Sequence, residues 1–298
     1  MLENKYYTAI KGLIINNEVN KSVKNYFINK TDLETKYNIG KLLSEAGKHY
    51  GEGIIKKYAI KLTNEFGKKY NYKTLSKIRQ FYLKFENIST VSRTLSFSHY
   101  LELLTINDYN KINYYIQLVE NNNLSVRELR NRIKSKEYER LSNETKNKLV
   151  NHESLDIKDT IPEPILIPIS NIQNDVEIKE KQLESIIVEN ISNFMKQLGE
   201  GYCFIDNEYK IKIGDKYNYI DILLFNIKFN CYVVVELKVT ELKKEYLGQI
   251  EVYMNYIDEH LKTINQNKTI GILLVKENNN YVLYNSDGNI ITRTFKLK

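Results

Sequence analysis

The feature that most constrains the fold of this 298-residue chain is the position of its prolines, which all fall within residues 151–175. Proline excludes the interior of a helix and favours extended backbone. The length also allows two domains of ordinary size. We therefore predict one domain at residues 1–150, a linker at 151–175 and a second domain at 176–298. The three prolines are Pro162, Pro164 and Pro168.

The predicted linker is rich in apolar residues as well as in proline. A free tether between domains is usually polar, because an apolar segment gains free energy when it leaves water. We therefore predict that the linker packs along a neighbouring domain. The apolar residues concerned are Ile165, Leu166, Ile167 and Ile169.

Charge is distributed unevenly between the two halves of the chain. Residues 1–150 carry 27 Lys and Arg against 15 Asp and Glu, whereas residues 151–298 carry 17 against 22. A basic half attracts a polyanion, because each neutralised phosphate releases counterions. The alternative is a lysine-rich surface that only contacts water, and charge by itself favours neither.

The first half has helical periodicity throughout, and one stretch has helix-turn-helix spacing. We predict a helix that ends near Phe66, then Gly67, a turn over residues 68–71, and a second helix from about Tyr72. The apolar stripe of the second helix comprises Leu75, Ile78, Tyr82 and Phe85, and its polar stripe comprises Lys73, Lys77, Gln80 and Lys84.

The polar stripe is typical of a recognition helix, whose exposed face meets phosphates and base edges in a groove. A structural helix with a solvated lysine face fits the same pattern, so both interpretations stand. A second basic helix follows in SVRELRNRIKSKEYERL, which opens with a capping box from Ser125 to Glu128. The residues predicted to contact phosphates there are Arg127, Arg130 and Lys134, on the side away from Val126, Leu129 and Ile133.

The second half changes from helical to strand periodicity. KEKQLESIIVENISNFMKQLGEG predicts one long helix that Gly199 ends, and three strand-like runs follow. Short connections at residues 214–215 and 226–230 predict that these strands form an antiparallel meander. A helix, a strand and a terminal hairpin complete the predicted order αβββαβ. The predicted fold class is thus α+β, with an all-α helix-turn-helix-like domain followed by an α/β domain.

The sequence also excludes some classes of protein. No run approaches the roughly 20 apolar residues that span a bilayer. The N-terminal MLENKYYTAIKGLIINN lacks the basic head and long apolar core of a secretion signal, so we predict a cytoplasmic protein without membrane contact. Cys203 and Cys231 have no C-x-x-C spacing or nearby histidine, and we predict that both are core thiols.

Two charged residues interrupt the apolar run YVVVELKVT at residues 232–240. Glu236 and Lys238 share one face of this predicted strand because side chains alternate. Asp221 lies on the preceding strand, in YIDILLF, so adjacent antiparallel strands would bring all three together. Two converging carboxylates suit Mg²⁺ or Mn²⁺. The alternative is an ion pair on a half-exposed sheet face, although the flanking valines indicate an interior strand, where unpaired charge is costly.

This arrangement resembles the PD-(D/E)xK nuclease superfamily, and the chain is similar to its YhcG-type family over nearly its whole length. Each motif is weak alone, and their combination is specific. The C-terminal stretches that carry the resemblance are YIDILLFNIKFNCYVVVELKVTELKKEYLGQIEVYMNYID and TIGILLVK. The N-terminal stretches are NEFGKKYNYKTLSKIRQFYLKF, LSFSHYLELL and LSVRELRNRI.

The resemblance implies a restriction-endonuclease-like fold with a metal-dependent nuclease site. It makes Asp221 the central metal ligand, Glu236 the second and the Leu237 carbonyl a third, with Lys238 as the catalytic lysine. Gln249 and Tyr253 match the Q-x-x-x-Y motif that borders the site in RecB-like nucleases. For Tyr253, packing beneath the helix is an equal alternative.

Members of the superfamily often supply one more acid from the first helix. We assign this acid to Glu184. It lies on the apolar side of the predicted helix with Ile187, Ile191 and Met195, where a carboxylate is unexpected unless it has a function. Glu180 shares that face and remains an alternative, whereas Glu189 lies on the solvent side. The chain departs from the family pattern at Asn207-Glu208 and Asn226-Ile227, which we expect to lie outside the metal-binding core.

We therefore expect a cytoplasmic, Mg²⁺-dependent nuclease that hydrolyses phosphodiester bonds in DNA, with Mn²⁺ as an alternative metal. The basic N-terminal domain would bind or position the nucleic acid. An alternative from another class is a DNA-binding or assembly protein whose nuclease-like domain is inactive alone. The sequence does not decide whether the substrate is DNA or RNA or whether it is duplex, branched or single-stranded. It also does not decide whether the protein forms a homo-oligomer.

Overall fold

The computed structural model describes residues 2–22, 28–85, 94–168, 178–278 and 288–297. The chain divides into two compact units, Met1–Tyr138 and Glu139–Lys298. The division falls earlier than the predicted domain end at residue 150. No helix in the described ranges is both long and apolar enough to cross a membrane.

The first unit is helical where it is described. Its core contains fully buried aliphatic and tyrosine side chains, among them Ile14, Leu43, Tyr58 and Leu75. The helices are α1 (Leu2–Ser22), α2 (Ile28–Tyr50), α3 (Gly53–Phe66), α4 (Tyr72–Lys84), α5 (Phe97–Leu103), α6 (Tyr109–Asn122) and α7 (Val126–Lys134).

The predicted bounds of the two helices on either side of Gly67 are confirmed. Helix α3 ends at Phe66, Gly67 takes a φ of 88°, and a 3₁₀ turn spans Lys68–Tyr70 before α4 begins at Tyr72. The Asn71 side chain accepts a hydrogen bond from the Thr74 amide at 3.0 Å, which caps α4. The buried stripe of α4 differs slightly from the prediction, since it includes Phe81 while Tyr82 is only half-buried.

The second unit begins inside the region predicted to be helical domain and linker. Two short helices, α8 (Asn143–Val150) and α9 (Ile157–Thr160), precede strand β1 (Ile165–Ile167). Strand β1 pairs in parallel with the strand that comes last in the chain, at residues 290–297. The prediction that this segment packs on a neighbour is confirmed for residues 165–167, while Ile169 lies outside the described residues.

The predicted long helix is two helices, so that prediction was wrong. Helix α10 (Glu180–Glu189) and helix α11 (Ile191–Leu198) are separated by Asn190, whose φ of −118° departs from helical values. The break resets the helical phase, so α11 buries Phe194 and Leu198 rather than Met195. Gly199 ends α11 with a φ of 124°, as predicted.

One six-stranded sheet organises the second unit, in the order β1-β6-β5-β4-β3-β2. The meander β2-β3-β4 is antiparallel with the predicted turns, while β4, β5 and β6 are parallel. Part of the predicted terminal hairpin, residues 279–287, lies outside the described residues, and its second arm pairs with β5 in parallel. The elements are β2 (Tyr202–Ile213), β3 (Lys216–Asn226), β4 (Cys231–Glu241), α12 (Lys244–His260), β5 (Ile270–Glu277) and β6 (Ile290–Leu297).

Helices cover both faces of this sheet. Leu183 and Ile187 of α10 pack with Val233, Val235 and Leu237 of β4 on one face. Side chains of α12 pack with Val234 in a second cluster on the other face. Strand β4 is therefore central, and its charged residues lie between two layers of helix. The observed element order confirms the predicted αβββαβ arrangement.

Candidate active site

The centre of the candidate site is the point where strands β3 and β4 stop pairing. The regular register runs from Asn226↔Cys231 to Ile222↔Val235. Beyond the Ile222–Val235 pair, a side chain takes the place of the backbone hydrogen bonds between the strands, because the Leu237 amide donates to Asp221 Oδ2 at 2.7 Å. The Asp221 amide lies 3.5 Å from Glu236 Oε1. The parting of the strands thus brings the two predicted carboxylates together.

The ionised forms of Asp221 and Glu236 are both unfavourable in this position. Glu236 is 1% exposed, and burial, followed by the charge of Asp221, raises the pKa of Glu236 to about 8. Burial also raises the pKa of Asp221, although the bond from the Leu237 amide opposes the rise. Two acids whose charged forms are disfavoured together need a positive partner.

Lys238 supplies positive charge beside the two acids. Its Nζ lies 3.6 Å from Glu236 Oε2 and 3.4 Å from Glu180 Oε2. Burial disfavours the ammonium, yet the surrounding carboxylates together raise the pKa of Lys238, so it is charged at neutral pH. The ring of Tyr246 also lies beneath it, with the centroid 5.5 Å from Nζ.

Helix α10 contributes two acids from its first turns. Glu184 is 8% exposed, and burial, then the charge of Asp221, raises its pKa. Glu180, which the sequence left as an alternative, contacts Lys238 instead. The helix therefore places one carboxyl near Asp221 and the other on Lys238. Glu189 is exposed, as predicted.

Sequence reasoning missed Asn207. Its Nδ2 lies 3.5 Å from Glu184 Oε1, so it contacts the predicted site rather than lying outside it. The adjacent Glu208 pairs with Lys181 and has a φ of 48°, a left-handed conformation that is rare for a non-glycine residue within a strand. The available signal was the departure from the family pattern at these two positions.

The Gln249 and Tyr253 side chains contact one another on α12. Gln249 Nε2 donates to the Tyr253 hydroxyl at 3.0 Å, as the spacing of one helical turn allows. Tyr253 is 5% exposed, and burial, with a smaller contribution from Glu236 and Asp221, raises its pKa. The pair faces the charged cluster, and its part in catalysis stays a prediction.

The second departure from the family pattern, at Asn226, has a structural explanation. Asn226 is fully buried, and its Nδ2 donates to the Glu200 carbonyl at 3.0 Å. Its Oδ1 accepts from the amides of Lys228 and Phe229 at 3.0 and 3.1 Å. This side chain organises the β3–β4 turn. Cys231 is buried as predicted, whereas Cys203 is exposed on edge strand β2, so its prediction as a core thiol was wrong.

The donor set fits a hard divalent cation of the kind that binds few protein groups. Among the described residues, no group of three or more His, Cys, Asp and Glu side chains is placed to hold a metal ion. Mg²⁺ commonly uses one or two carboxylates and keeps several waters or substrate oxygens. Asp221 and Glu236 match that requirement, and a cation there would offset the two raised carboxyl pKa values.

In the first unit, the predicted basic stripe of α4 is only partly available. Lys73, Lys77 and Gln80 are exposed. Lys84, by contrast, donates to the Leu104 carbonyl at 2.6 Å and to the Ile106 carbonyl, so its ammonium closes the end of α5. The prediction that Lys84 contacts nucleic acid does not fit this arrangement.

The second predicted basic helix, α7, shows the predicted capping box. The Ser125 amide donates to Glu128 Oε2 at 2.9 Å, and the Glu128 amide donates to Ser125 Oγ at 3.3 Å. Arg130 makes a forked pair with Glu102 at 3.1 and 2.7 Å. Arg127 and Lys134 are exposed.

Comparison with known proteins gives matches in both halves. Residues 158–297 match the model of the YhcG PDDEXK nuclease domain. Residues 12–140 match the model of the DUF1016 N-terminal domain. The chain is also 23% identical over 296 residues to an Escherichia coli (strain K12) protein named "Putative nuclease YhcG", a match that covers 85% of this chain and 78% of that protein.

Two solved structures show a more distant likeness. One is a repair endonuclease from Pyrococcus abyssi, at 20% identity and a TM-score of 0.28, covering 41% of this chain and 49% of that one. The other is the structure of an EndoMS–dsDNA complex, at 18% identity and a TM-score of 0.30, covering 43% and 48%. This chain thus spans about half the length of each, and TM-scores this low carry no functional inference.

Proposed function

Because the chain belongs to the YhcG-type PD-(D/E)xK nuclease family, we propose that it is a Mg²⁺-dependent nuclease that hydrolyses phosphodiester bonds in DNA. The observation that supports this most directly is the contact of Asp221 with the buried Glu236 and Lys238 region where β3 and β4 part. Buried acids without a full set of partners destabilise a fold. Their presence here is explained by a site that a cation and an anionic substrate complete.

Each side chain of the cluster has a role that follows from its position. Asp221 and Glu236 would hold the cation, with the Leu237 carbonyl as a further oxygen. When bound, a divalent cation supplies positive charge that stabilises the transition state and lowers the pKa of a coordinated water. Mn²⁺ would serve the same donors. Lys238 is a charged donor that binds a phosphate oxygen or orients the attacking water.

The surrounding side chains position these groups. Glu180 and Tyr246 hold the Lys238 ammonium in place, since each contacts it from a different element. Glu184 would add a carboxylate beside Asp221. Gln249 and Tyr253, joined by a hydrogen bond, would border the path of the cleaved strand.

The N-terminal unit would bind the nucleic acid. The support is its surplus of positive charge and the exposure of several of the predicted side chains. Basic side chains of this kind make many contacts to DNA phosphates, and those contacts fix the position of the protein on the DNA. The exposed group comprises Lys73, Lys77, Gln80, Arg127 and Lys134.

Cleavage by purified variants tests the assignment. Asp221→Asn retains an oxygen that can accept from the Leu237 amide, and Lys238→Gln retains much of the side-chain length. We expect each change to lower the rate of DNA cleavage in Mg²⁺ at least about 100-fold while DNA binding in EDTA is retained. Plasmid nicking and a filter-binding assay would measure the two properties.

Matched controls come from the β2–β3 turn, where Asp215 and Lys216 are exposed. Asp215→Asn and Lys216→Gln make the same chemical changes and should leave cleavage unchanged. If the Asp221 and Lys238 variants cleave like the wild type, the active site lies elsewhere. If the wild type binds DNA but cleaves no linear, supercoiled, single-stranded or branched substrate, the protein is a DNA-binding or assembly protein instead.

A further inference from the structure

A groove of about 510 Å³ is lined by residues that neighbour Lys238 and Glu180 of the candidate active site along the chain. It lies at the carboxyl ends of the three parallel strands β4, β5 and β6, beside the start of α10. Its volume falls in the range of roughly 300–1,000 Å³ that small-molecule ligands occupy. The lining side chains that matter here are Ile178, Lys179, Val239, Thr240, Lys276 and Phe295.

Both walls of the groove continue directly into the catalytic cluster. On one wall, Thr240 lies two positions after Lys238 on β4, where the β4–β5 register shifts. On the other wall, Lys179 immediately precedes Glu180, whose Oε2 lies 3.4 Å from Lys238 Nζ. The groove is therefore adjacent, along both β4 and α10, to side chains that would contact a phosphate.

The chemistry of the groove selects an occupant that is both anionic and apolar. Lys179 and Lys276 are exposed, and neither ammonium has an ion-pair partner among the described residues. The same groove is lined by Ile178, Val239 and the half-buried ring of Phe295. A simple anion would make no contact with the apolar wall, and a hydrocarbon would make no ion pair with the two lysines. A nucleotide satisfies both, with its phosphates on the lysines and its base against the ring.

We propose that this groove holds one unpaired nucleotide of the cleaved DNA strand, adjacent to the scissile phosphate. The proposal rests on the nuclease function proposed above and adds the form of its substrate. Bases of an intact duplex are stacked on both faces, so a base enters such a groove only after unstacking. Single-stranded or branched DNA avoids that cost and is the preferred substrate.

Binding measured without cleavage tests the groove directly. Affinities of the wild type in EDTA would be compared for a labelled oligothymidylate of about 20 nucleotides and for the same strand in a blunt duplex. Phe295→Leu keeps an apolar side chain against the core but removes the aromatic face. We expect it to weaken single-strand binding by roughly 5- to 100-fold, the value of one base–aromatic stack, with little change for the duplex.

The lysines give an independent measurement. Lys276→Gln and Lys179→Gln should each reduce the slope of log affinity against log salt by about 0.7 for the single strand. Phe225→Leu is the aromatic control, because Phe225 is half-buried in the same sheet near the opposite turn. Lys216→Gln is the charge control, since it removes the same charge from the β2–β3 turn. Neither control should alter single-strand affinity.

The outcomes separate this proposal from the proposed function. If the wild type cleaves DNA and the three groove variants bind and cleave single strands as the wild type does, the groove proposal is overturned and the nuclease function stands. Equal losses on duplex and single strand would also overturn it, because they indicate general damage to the fold. If the variants lose single-strand binding selectively but the wild type cleaves nothing, the groove binds nucleotides and the nuclease function fails.

Discussion

At the scale of single residues, the central fact is that the Asp221 side chain accepts a hydrogen bond that the backbone of β3 would otherwise accept from β4. Asp221 Oδ2 accepts a hydrogen bond from the Leu237 amide at 2.7 Å, just beyond the last paired residues of β3 and β4. The carboxylate therefore holds the two strands together while it keeps Glu236 within reach. The same placement explains why both acids have raised pKa values, since neither is fully compensated by Lys238. Raised carboxyl pKa values of this kind are typical of functional sites.

Replacement of Glu236 should separate stability from activity. Glu236→Gln removes a buried acid that burial and Asp221 both disfavour, so we expect an unfolding temperature a few degrees above wild type in EDTA. Cleavage in Mg²⁺ should be lost. Calorimetric scans with and without Mg²⁺ would measure the difference. Glu277→Gln, an exposed acid on β5, is the control. A Glu236→Gln protein less stable than wild type in EDTA would contradict this explanation of the site.

At the scale of elements, close approach of α2 and α4 fixes the core of the first unit. A Cβ added to Gly40 of α2 would lie 2.6 Å from the Ile78 carbonyl oxygen and 2.7 Å from Tyr82 Cβ. Backbone cannot move away as the end of a flexible side chain can. Glycine at this position therefore permits the packing of the helix on which Lys73 and Lys77 lie.

Substitution of two helical glycines by alanine should have opposite effects. Gly40→Ala forces α2 and α4 apart, and we expect a loss of roughly 1–3 kcal/mol of unfolding free energy. Gly12→Ala in α1 meets nothing within 4 Å, so the better helix propensity of alanine should stabilise by roughly 0.5–1 kcal/mol. Urea denaturation followed by circular dichroism would measure both. Equal effects at the two positions would show that α2 and α4 are not in close contact.

An ion cluster also joins α1 to α2, and it predicts a dependence of stability on pH. The Asp32 carboxylate accepts from Asn17 at 2.9 Å, pairs with Lys21 at 2.6 Å and contacts Lys36. Burial would raise the pKa of Asp32, but these partners outweigh it and lower the pKa to about 2. The ionised form therefore stabilises the folded state.

The stabilisation by Asp32 should be complete above about pH 4 and disappear as the pH falls through about 2. We expect Asp32→Asn to lose about 1–2 kcal/mol at pH 6, a value reduced by solvent screening. The difference from wild type should vanish near pH 2. Urea titrations at several pH values would measure it. Asp215→Asn, an exposed acid in the second unit, should show no such dependence, and a constant deficit for Asp32→Asn at all pH values would contradict the assignment.

At the scale of the whole molecule, charge is distributed unevenly between the two halves of the chain. Residues 1–150 have 27 basic and 15 acidic residues, and the acidic cluster lies in the other half. In the function proposed above, phosphate contacts from the basic half would contribute affinity, while the candidate site would contribute chemistry. Basic residues elsewhere in the chain would then offset the cost of placing acids near a phosphate backbone.

Salt dependence would show which lysines bind DNA. We expect Lys73→Gln combined with Lys77→Gln to lower the slope of log affinity against log salt by up to about 2 for duplex DNA. Lys84→Gln should leave the slope unchanged and reduce stability instead, because its ammonium donates to the Leu104 and Ile106 carbonyls. Fluorescence anisotropy at several salt concentrations would measure the slopes. An unchanged slope for the double variant would place the DNA-binding surface elsewhere.

The sequence by itself determined the features that depend on local pattern. Alternation along β4 put Glu236 and Lys238 on one face, turn residues set the β2-β3-β4 meander, and one helical turn joined Gln249 to Tyr253. Each of these follows from the period of a single element or from a short connection between two, so no distant contact was needed to predict it.

Only the tertiary structure decided the features that depend on residues far apart in the chain. Asn207 contacts Glu184, Lys84 contacts the end of α5, and β1 joins the sheet through a strand more than 100 residues away. The groove beside Lys238 likewise combines the start of α10 with three strand ends. A local pattern shows which face a side chain is on, but the partner on that face is determined by packing, which involves all the elements of a unit at once.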